Sequence, residues 1–143
     1  MLDFSSLRRA IAQLEESLDF VRSETALGKM RLALQLRTAA IKAFEYTYEL
    51  SIKMLIRYLQ ETEPGENKSD ARSFQENIRL GYERGLLQAE FKDWMEFRKQ
   101  RNTTSHAYDE RKAEEVFLAI PAFLKEAKFL LNELERRRAS SRG

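Results

Sequence analysis

Arg101, His106 and Tyr108 are the residues of this chain best suited to chemistry. They fall within one short stretch, RNTTSHAYDE, Arg101 to Glu110, and His106 is the sole histidine. On an unbroken helix Arg101 and His106 would point about 140° apart and could not share a site. Between them, however, stand Thr103, Thr104 and Ser105. Two are β-branched and the third favours caps and turns, so all three are poor helix formers. Asp109 is a good N-cap for the segment that follows. The pattern predicts a helix ending near Thr103, a tight corner carrying His106 and Tyr108, and a new helix after Asp109. A corner can turn an arginine and a histidine onto one concave site. Histidine moves protons near neutral pH, and the guanidinium fork fits phosphate oxygens and the charge of a phosphoryl-transfer transition state. Asn102 can add a polar contact. With no acidic cluster for a two-metal mechanism, the set suits metal-independent phosphate chemistry. The alternative is structural: a lone histidine at a helical corner capping carbonyls, its arginine paired with a carboxylate.

The rest of the chain must hold that corner. Leu7, Ile11, Leu14, Leu18 and Val21 give a narrow apolar seam on a first helix from about Asp3 to Ser23, with a break bracketed by Ser23 and Gly28. A long second helix, about Lys29 to Gln60, carries the seven-residue spine Leu27, Leu34, Ile41, Tyr48 and Leu55, flanked by Phe44 and Ile52. That stripe is wide enough for two neighbours, or for a neighbour and a second copy. Glu45 lies within it, either snorkelling outward at the rim or pointing into a polar groove near Arg101. Glu61 to Asp70, with Pro64-Gly65, reads as a loop, and Ser69 or Asp70 can cap a short third helix through about Gly81. A fourth helix, about Gln88 to Asn102, places Phe91, Trp94, Met95 and Arg98 on its buried face. Arg101, seven residues past Trp94, is only about 20° away around the axis, so it projects inward, to stack on the tryptophan or line a pocket beyond it. The last helix, about Glu110 to Arg137, contains Pro121, where a kink or short break is expected. The basic end is expected to fray from residue 139 onward and to be solvated, though it could touch RNA phosphates.

Composition agrees with an all-α fold: five glycines and two prolines among 143 residues, with hydrophobic residues at helical spacing. The whole chain, 1–143, is expected to form one domain. No cysteine means no disulfide framework and no thiolate metal site, and one histidine argues against a histidine zinc site. A net charge of +2 is too small to argue nucleic-acid binding by itself. No apolar run approaches a membrane span and the N-terminus lacks a signal-peptide pattern, so a cytoplasmic protein is expected.

Three stretches together resemble the HEPN superfamily, and more narrowly the nucleotidyltransferase substrate-binding proteins, partners of minimal nucleotidyltransferases. They are AFEYTYELSIKMLIRYL (Ala43 to Leu59), FKDWMEFRKQRNTTSHAYDE (Phe91 to Glu110) with the signature R-x4-H-x-Y as Arg101, His106 and Tyr108, and AEEVFLAIPAFLKEAKFLLNEL (Ala113 to Leu134). Lys53 is basic, as the family pattern expects. The resemblance implies an antiparallel up-and-down bundle of four to five helices that forms a homodimer, with arginines and histidines of two protomers facing across a cleft. It implies a minimal nucleotidyltransferase as partner, and RNA or a nucleotide as ligand. Two functions follow from it. One is a nucleotide- or substrate-binding subunit of a two-component nucleotidyltransferase. The other is a metal-independent ribonuclease toxin of a type VII-like toxin–antitoxin pair, silenced when the partner attaches AMP to Tyr108. The expected site comprises Arg101, His106 and Asn102 as catalytic groups, Tyr108 as the regulatory AMP acceptor, and Glu45, Tyr48, Trp94 and Arg98 as cleft or supporting residues. No metal and no cofactor is expected. The third option is a helical interaction module whose corner is only structural.

Overall fold

A computed structural model describes residues 2–62 and 72–142. Five α-helices follow in order: α1 (Ser5–Ala26), α2 (Met30–Thr62), α3 (Phe74–Glu83), α4 (Phe91–Thr103) and α5 (Glu110–Arg142), with a 3-10 turn (Thr104–His106) joining the last two. The turn between α1 and α2 centres on Gly28 at φ 77°, a left-handed conformation that costs glycine little.

The four helices α1, α2, α4 and α5 alternate in direction around one core, the up-and-down bundle expected. Cross-helix pairs fix the register. The Thr47 hydroxyl of α2 donates to the Ala10 carbonyl of α1 at 3.3 Å. Arg8 pairs with Glu135 and Glu15 with Lys128 between α1 and α5. Leu7, Ile11, Leu14, Leu18 and Val21 are all buried, so the predicted seam of α1 is the real one.

The centre of the bundle is aromatic. Phe44 and Tyr48 of α2, Trp94 and Phe97 of α4 and Phe123 of α5 meet ring against ring, with Phe44–Phe123 at 5.1 Å and Trp94–Phe97 and Phe97–Phe123 at 5.4 Å, all edge-to-face. Such rings bury about 150–250 Å² each, worth roughly 4–6 kcal/mol at ~25 cal/mol per Å² before entropy is counted. Exposed ion pairs contribute about 0–1 kcal/mol. The aromatic cluster, not the surface charges, therefore fixes where α4 lies.

Several details differ from expectation. The spine of α2 is buried at Ile41, Tyr48 and Leu55, but Leu27 is 66% and Leu34 44% exposed. The reason is length: Arg37 already meets Glu110, the first residue of α5, so the α1–α2 hairpin overhangs the end of α5. Helix α3 is capped by Ser73, not by Ser69 or Asp70, in a reciprocal box with Glu76 at 3.1 and 3.0 Å. Ser69 and Asp70, with the Pro64-Gly65 turn, lie outside the described residues. At Gly81 an added Cβ would meet Leu87 at 3.0 Å and Leu55 at 3.1 Å, so α3 can approach α2 only because a glycine stands there. Met95 and Arg98 are exposed, not buried. Helix α5 runs through Pro121 to Arg142, so the short break considered at Pro121 is not seen. Pro121 itself is exposed, where its ring disturbs no packing.

Candidate functional site

Side chains of the corner end α4 themselves. The hydroxyls of Thr103, Thr104 and Ser105 donate to the carbonyls of Lys99 (2.9 Å), Arg101 (2.6 Å) and Asn102 (3.1 Å). These hydroxyls compete with backbone amides for carbonyls at the end of α4, the Arg101 carbonyl also accepting the Thr104 amide, and the chain tightens into the 3-10 turn. Asp109 then accepts from the amides of Arg111 (2.9 Å) and Lys112 (3.3 Å) and starts α5, as its position predicts. Arg37 of α2 clamps this start: its fork meets both oxygens of Glu110 at 2.8 Å, and Glu114 lies 3.5 Å away. The hydrogen bond from Arg37 holds the Glu110 carboxyl below its usual range, and the same bond raises the Arg37 guanidinium.

Arg101 leaves the inner side of α4 and enters the groove between α4 and α2. Its Nε and Nη2 donate to Glu49 at 2.8 and 2.5 Å, and Glu45 Oε2 lies 3.6 Å from Nη2. Glu45 therefore points into the groove beside Arg101, and not simply outward. Arg101 does not stack on Trp94, whose ring neighbours are Tyr48, Phe97 and Phe123.

His106 is exposed, and its ring lies 6.1 Å from that of Tyr108, tilted at 69°. Its imidazole makes no hydrogen bond or ion pair with the described residues, so both nitrogens are available to a ligand. Tyr108 is 86% exposed, the most open of the large hydrophobic side chains among the described residues. Asn102 is exposed beside them on the last turn of α4. No hydrogen bond joins Arg101 to His106.

Of the expected cleft residues, Tyr48 and Trp94 belong to the core. Burial pushes the Tyr48 phenol up to about 12, opposed by the charges of Arg98 and Arg101 and reinforced by Glu49. It is neither a proton donor near neutral pH nor open to a ligand; its part is to support. Arg98 lies on the surface with its guanidinium 4.5 Å over the Phe74 ring.

Sequence reasoning missed three groups. Glu49 stands one turn after Glu45 on the same face, a spacing that could have flagged it. Arg37 carried no local signal. Glu126 is buried in mid-α5, where its carboxylate accepts from the amides of Gln88 (3.2 Å) and Ala89 (3.0 Å) and from the Trp94 indole (2.8 Å). It fixes both the approach to α4 and the tryptophan two turns before Arg101. A groove of about 460 Å³ between α4 and α5 is lined by Gln88, Ala89, Glu126 and their neighbours. Among the described residues no group of three or more histidines, cysteines or acids could hold a metal ion, and no helix is long and apolar enough to cross a membrane.

Residues 2–136 match the family described as nucleotidyltransferase substrate binding protein like. The chain belongs to this family. It is 34% identical over 134 residues to the probable ribonuclease HepT of Haemophilus influenzae, covering 94% of this chain and 88% of that protein. It also superposes with a TM-score of 0.85, at 32% identity, on a solved Haemophilus influenzae structure described as revealing the fold of a substrate binding domain of a nucleotidyltransferase. That match covers 93% of this chain and 99% of the other. The HEPN-type bundle and the nucleotidyltransferase substrate-binding family are thus the fold and family that the three sequence stretches resembled.

Proposed function

We propose that this chain is the nucleotide-binding subunit of a two-component nucleotidyltransferase system, acting as a homodimer beside a minimal nucleotidyltransferase. The observation that supports the reading is the corner itself: the 3-10 turn Thr104–His106 follows directly on the last turn of α4, which carries Arg101, and the exposed Tyr108 ring lies 6.1 Å from that of His106. Arg101, whose Nε and Nη2 donate to Glu49, supplies its remaining guanidinium N–H groups for phosphate oxygens and is held in place by Glu49 and Glu45. His106 offers an unpaired imidazole, and Asn102 a further polar contact. Tyr108 presents its hydroxyl as acceptor for an AMP group. A phosphate fixed there would bring negative charge to the Arg101 side of the corner and obstruct it, a direct way to regulate the site.

One observation favours a second reading, a metal-independent ribonuclease. His106 is unencumbered enough to take the proton of a 2′-hydroxyl while Arg101 stabilises the phosphorane, and the chain's relative is named as a ribonuclease. One experiment separates the two. The chain is incubated with its nucleotidyltransferase and ATP and followed by intact mass, while unmodified protein is incubated with labelled RNA in EDTA. The first reading expects a gain in AMP units that Tyr108→Phe abolishes, without cleavage. Cleavage that disappears in His106→Ala establishes the second. Neither modification nor cleavage would leave only a structural interaction module.

A further inference from the structure

Arg98 precedes Arg101 by three residues, so the two cations leave neighbouring positions on α4, with Cβ atoms on the order of 5–6 Å apart. Their surroundings differ. Arg101 is held edge-on by Glu49 and Glu45. Arg98 has no ion pair with any described residue; one face of its guanidinium lies 4.5 Å over the Phe74 ring, and the side chain is exposed. Phe74 is itself well placed, as the first residue of α3, anchored by the Ser73–Glu76 capping box and by the close packing at Gly81. Both arginines act on the buried Tyr48 hydroxyl, each opposing the effect of its burial. They stand one helical step apart on α4, Arg101 turned to Glu49 of α2 and Arg98 to Phe74 at the start of α3.

We propose that the Arg98–Phe74 stack is a nucleobase subsite adjoining a phosphate site at Arg101, so that the ligand is a nucleotide unit and not phosphate alone. A guanidinium backed by an aromatic ring is a flat, positioned surface whose second face can stack on a base, while its unpaired donor edge reaches base acceptors. Arg101 lies one helical step away, within the span of a single nucleotide. This rests on the reading of Arg101 as a phosphate ligand and adds what the site recognises beyond phosphate.

The test is calorimetric titration of the full chain with AMP, with ribose 5-phosphate and with the dinucleotide adenylyl-adenosine. AMP should bind about tenfold more tightly than ribose 5-phosphate, the usual worth of a stacked base. Arg98→Lys keeps the charge and loses the plane; Phe74→Leu keeps apolar volume and loses the ring. Both should bring AMP down to the ribose 5-phosphate level and leave ribose 5-phosphate unchanged, whereas Arg101→Ala should weaken both ligands. A dinucleotide tighter than AMP supports a unit within RNA; AMP at least as tight supports a free nucleotide. Arg101-dependent binding of ribose 5-phosphate with no preference for AMP overturns the subsite and leaves the phosphate site standing. Equal weakening of both probes by Arg98→Lys also overturns it, because Arg98 would then be only a charge. Absence of any Arg101-dependent phosphate binding removes both.

Discussion

Replacing Glu126 by leucine should cost about 3 kcal/mol of stability, although the two side chains are close in size. The magnitude follows from what the carboxylate holds. Its Oε2 accepts the Trp94 indole N–H at 2.8 Å, and Trp94 is fully buried, so that donor would be left without a partner. An unsatisfied buried donor costs about 1–3 kcal/mol. The amides of Gln88 and Ala89 border the groove between α4 and α5, so water can reach them and each loss is nearer ~0.5–1 kcal/mol. Glutamine offers one carbonyl oxygen, enough for the indole or the amides but not all three, and should cost roughly half as much. Urea denaturation followed by fluorescence reads this cleanly, because Trp94 is the chain's sole tryptophan. The expected order is wild type, then Glu126→Gln, then Glu126→Leu, with a lower midpoint and an unchanged slope. A leucine variant within about 0.5 kcal/mol of wild type would refute the reasoning, since surface-like substitutions reach no further than that.

Three further outcomes are expected. Arg101→Ala and His106→Ala should each stay within about 1 kcal/mol of wild type in the same assay, because they remove polar groups from a solvent-facing groove and corner and no core volume; loss of cooperative unfolding in either would make the corner structural. Light scattering should give twice the 16.8 kDa chain mass, since the overhanging α1–α2 hairpin exposes Leu27, Met30 and Leu34, and a stable monomer at micromolar concentration would rule the dimer out. Because Arg37 depresses the Glu110 carboxyl, that pair stabilises the fold above the usual glutamate value of 4.5 and its contribution is lost as pH falls through the folded value. The stability gap between wild type and Arg37→Met should therefore hold at neutral pH and narrow below pH 4.5; a gap that stays constant into acid would show that the clamp is not electrostatic.

Features carried by local chemistry were legible in the sequence. Thr103, Thr104 and Ser105 announced the corner because their hydroxyls compete for the carbonyls of the turn before them, and they do so in the structure. Asp109 announced the start of α5 for the same kind of reason. The apolar periods of α1 and of the inner half of α2 marked the core. What depended on distant parts of the chain was not legible. Leu27 and Leu34 continue the period of α2, yet α5 begins too late to cover them. Ser73 was passed over for earlier capping candidates, although Glu76 three residues on completes its box. Met95 and Arg98 sit on a helix whose buried face is set by Trp94, Phe97 and Gln100, a narrower face than the aromatic spacing suggested. Glu126 is one acid in an amphipathic helix, and nothing near it in sequence says that two amides and an indole from residues 88–94 close around it. Arg101 was rightly placed on the inner side, but its partners Glu45 and Glu49 come from a helix some fifty residues away, and only the folded register chooses them over Trp94.

The central claim, that the corner binds the phosphate of a nucleotide between Arg101 and His106, can be read from a single residue. His106 is the only histidine, so its imidazole carbon–proton signals stand alone in a proton–carbon correlation spectrum of the labelled protein. They should be recorded with and without saturating AMP. A phosphate beside the ring changes its electrostatic surroundings, so AMP should shift those signals, and Arg101→Ala should remove the shift. Signals that do not respond to AMP, in a sample where calorimetry shows AMP bound, would place the ligand elsewhere and contradict the account.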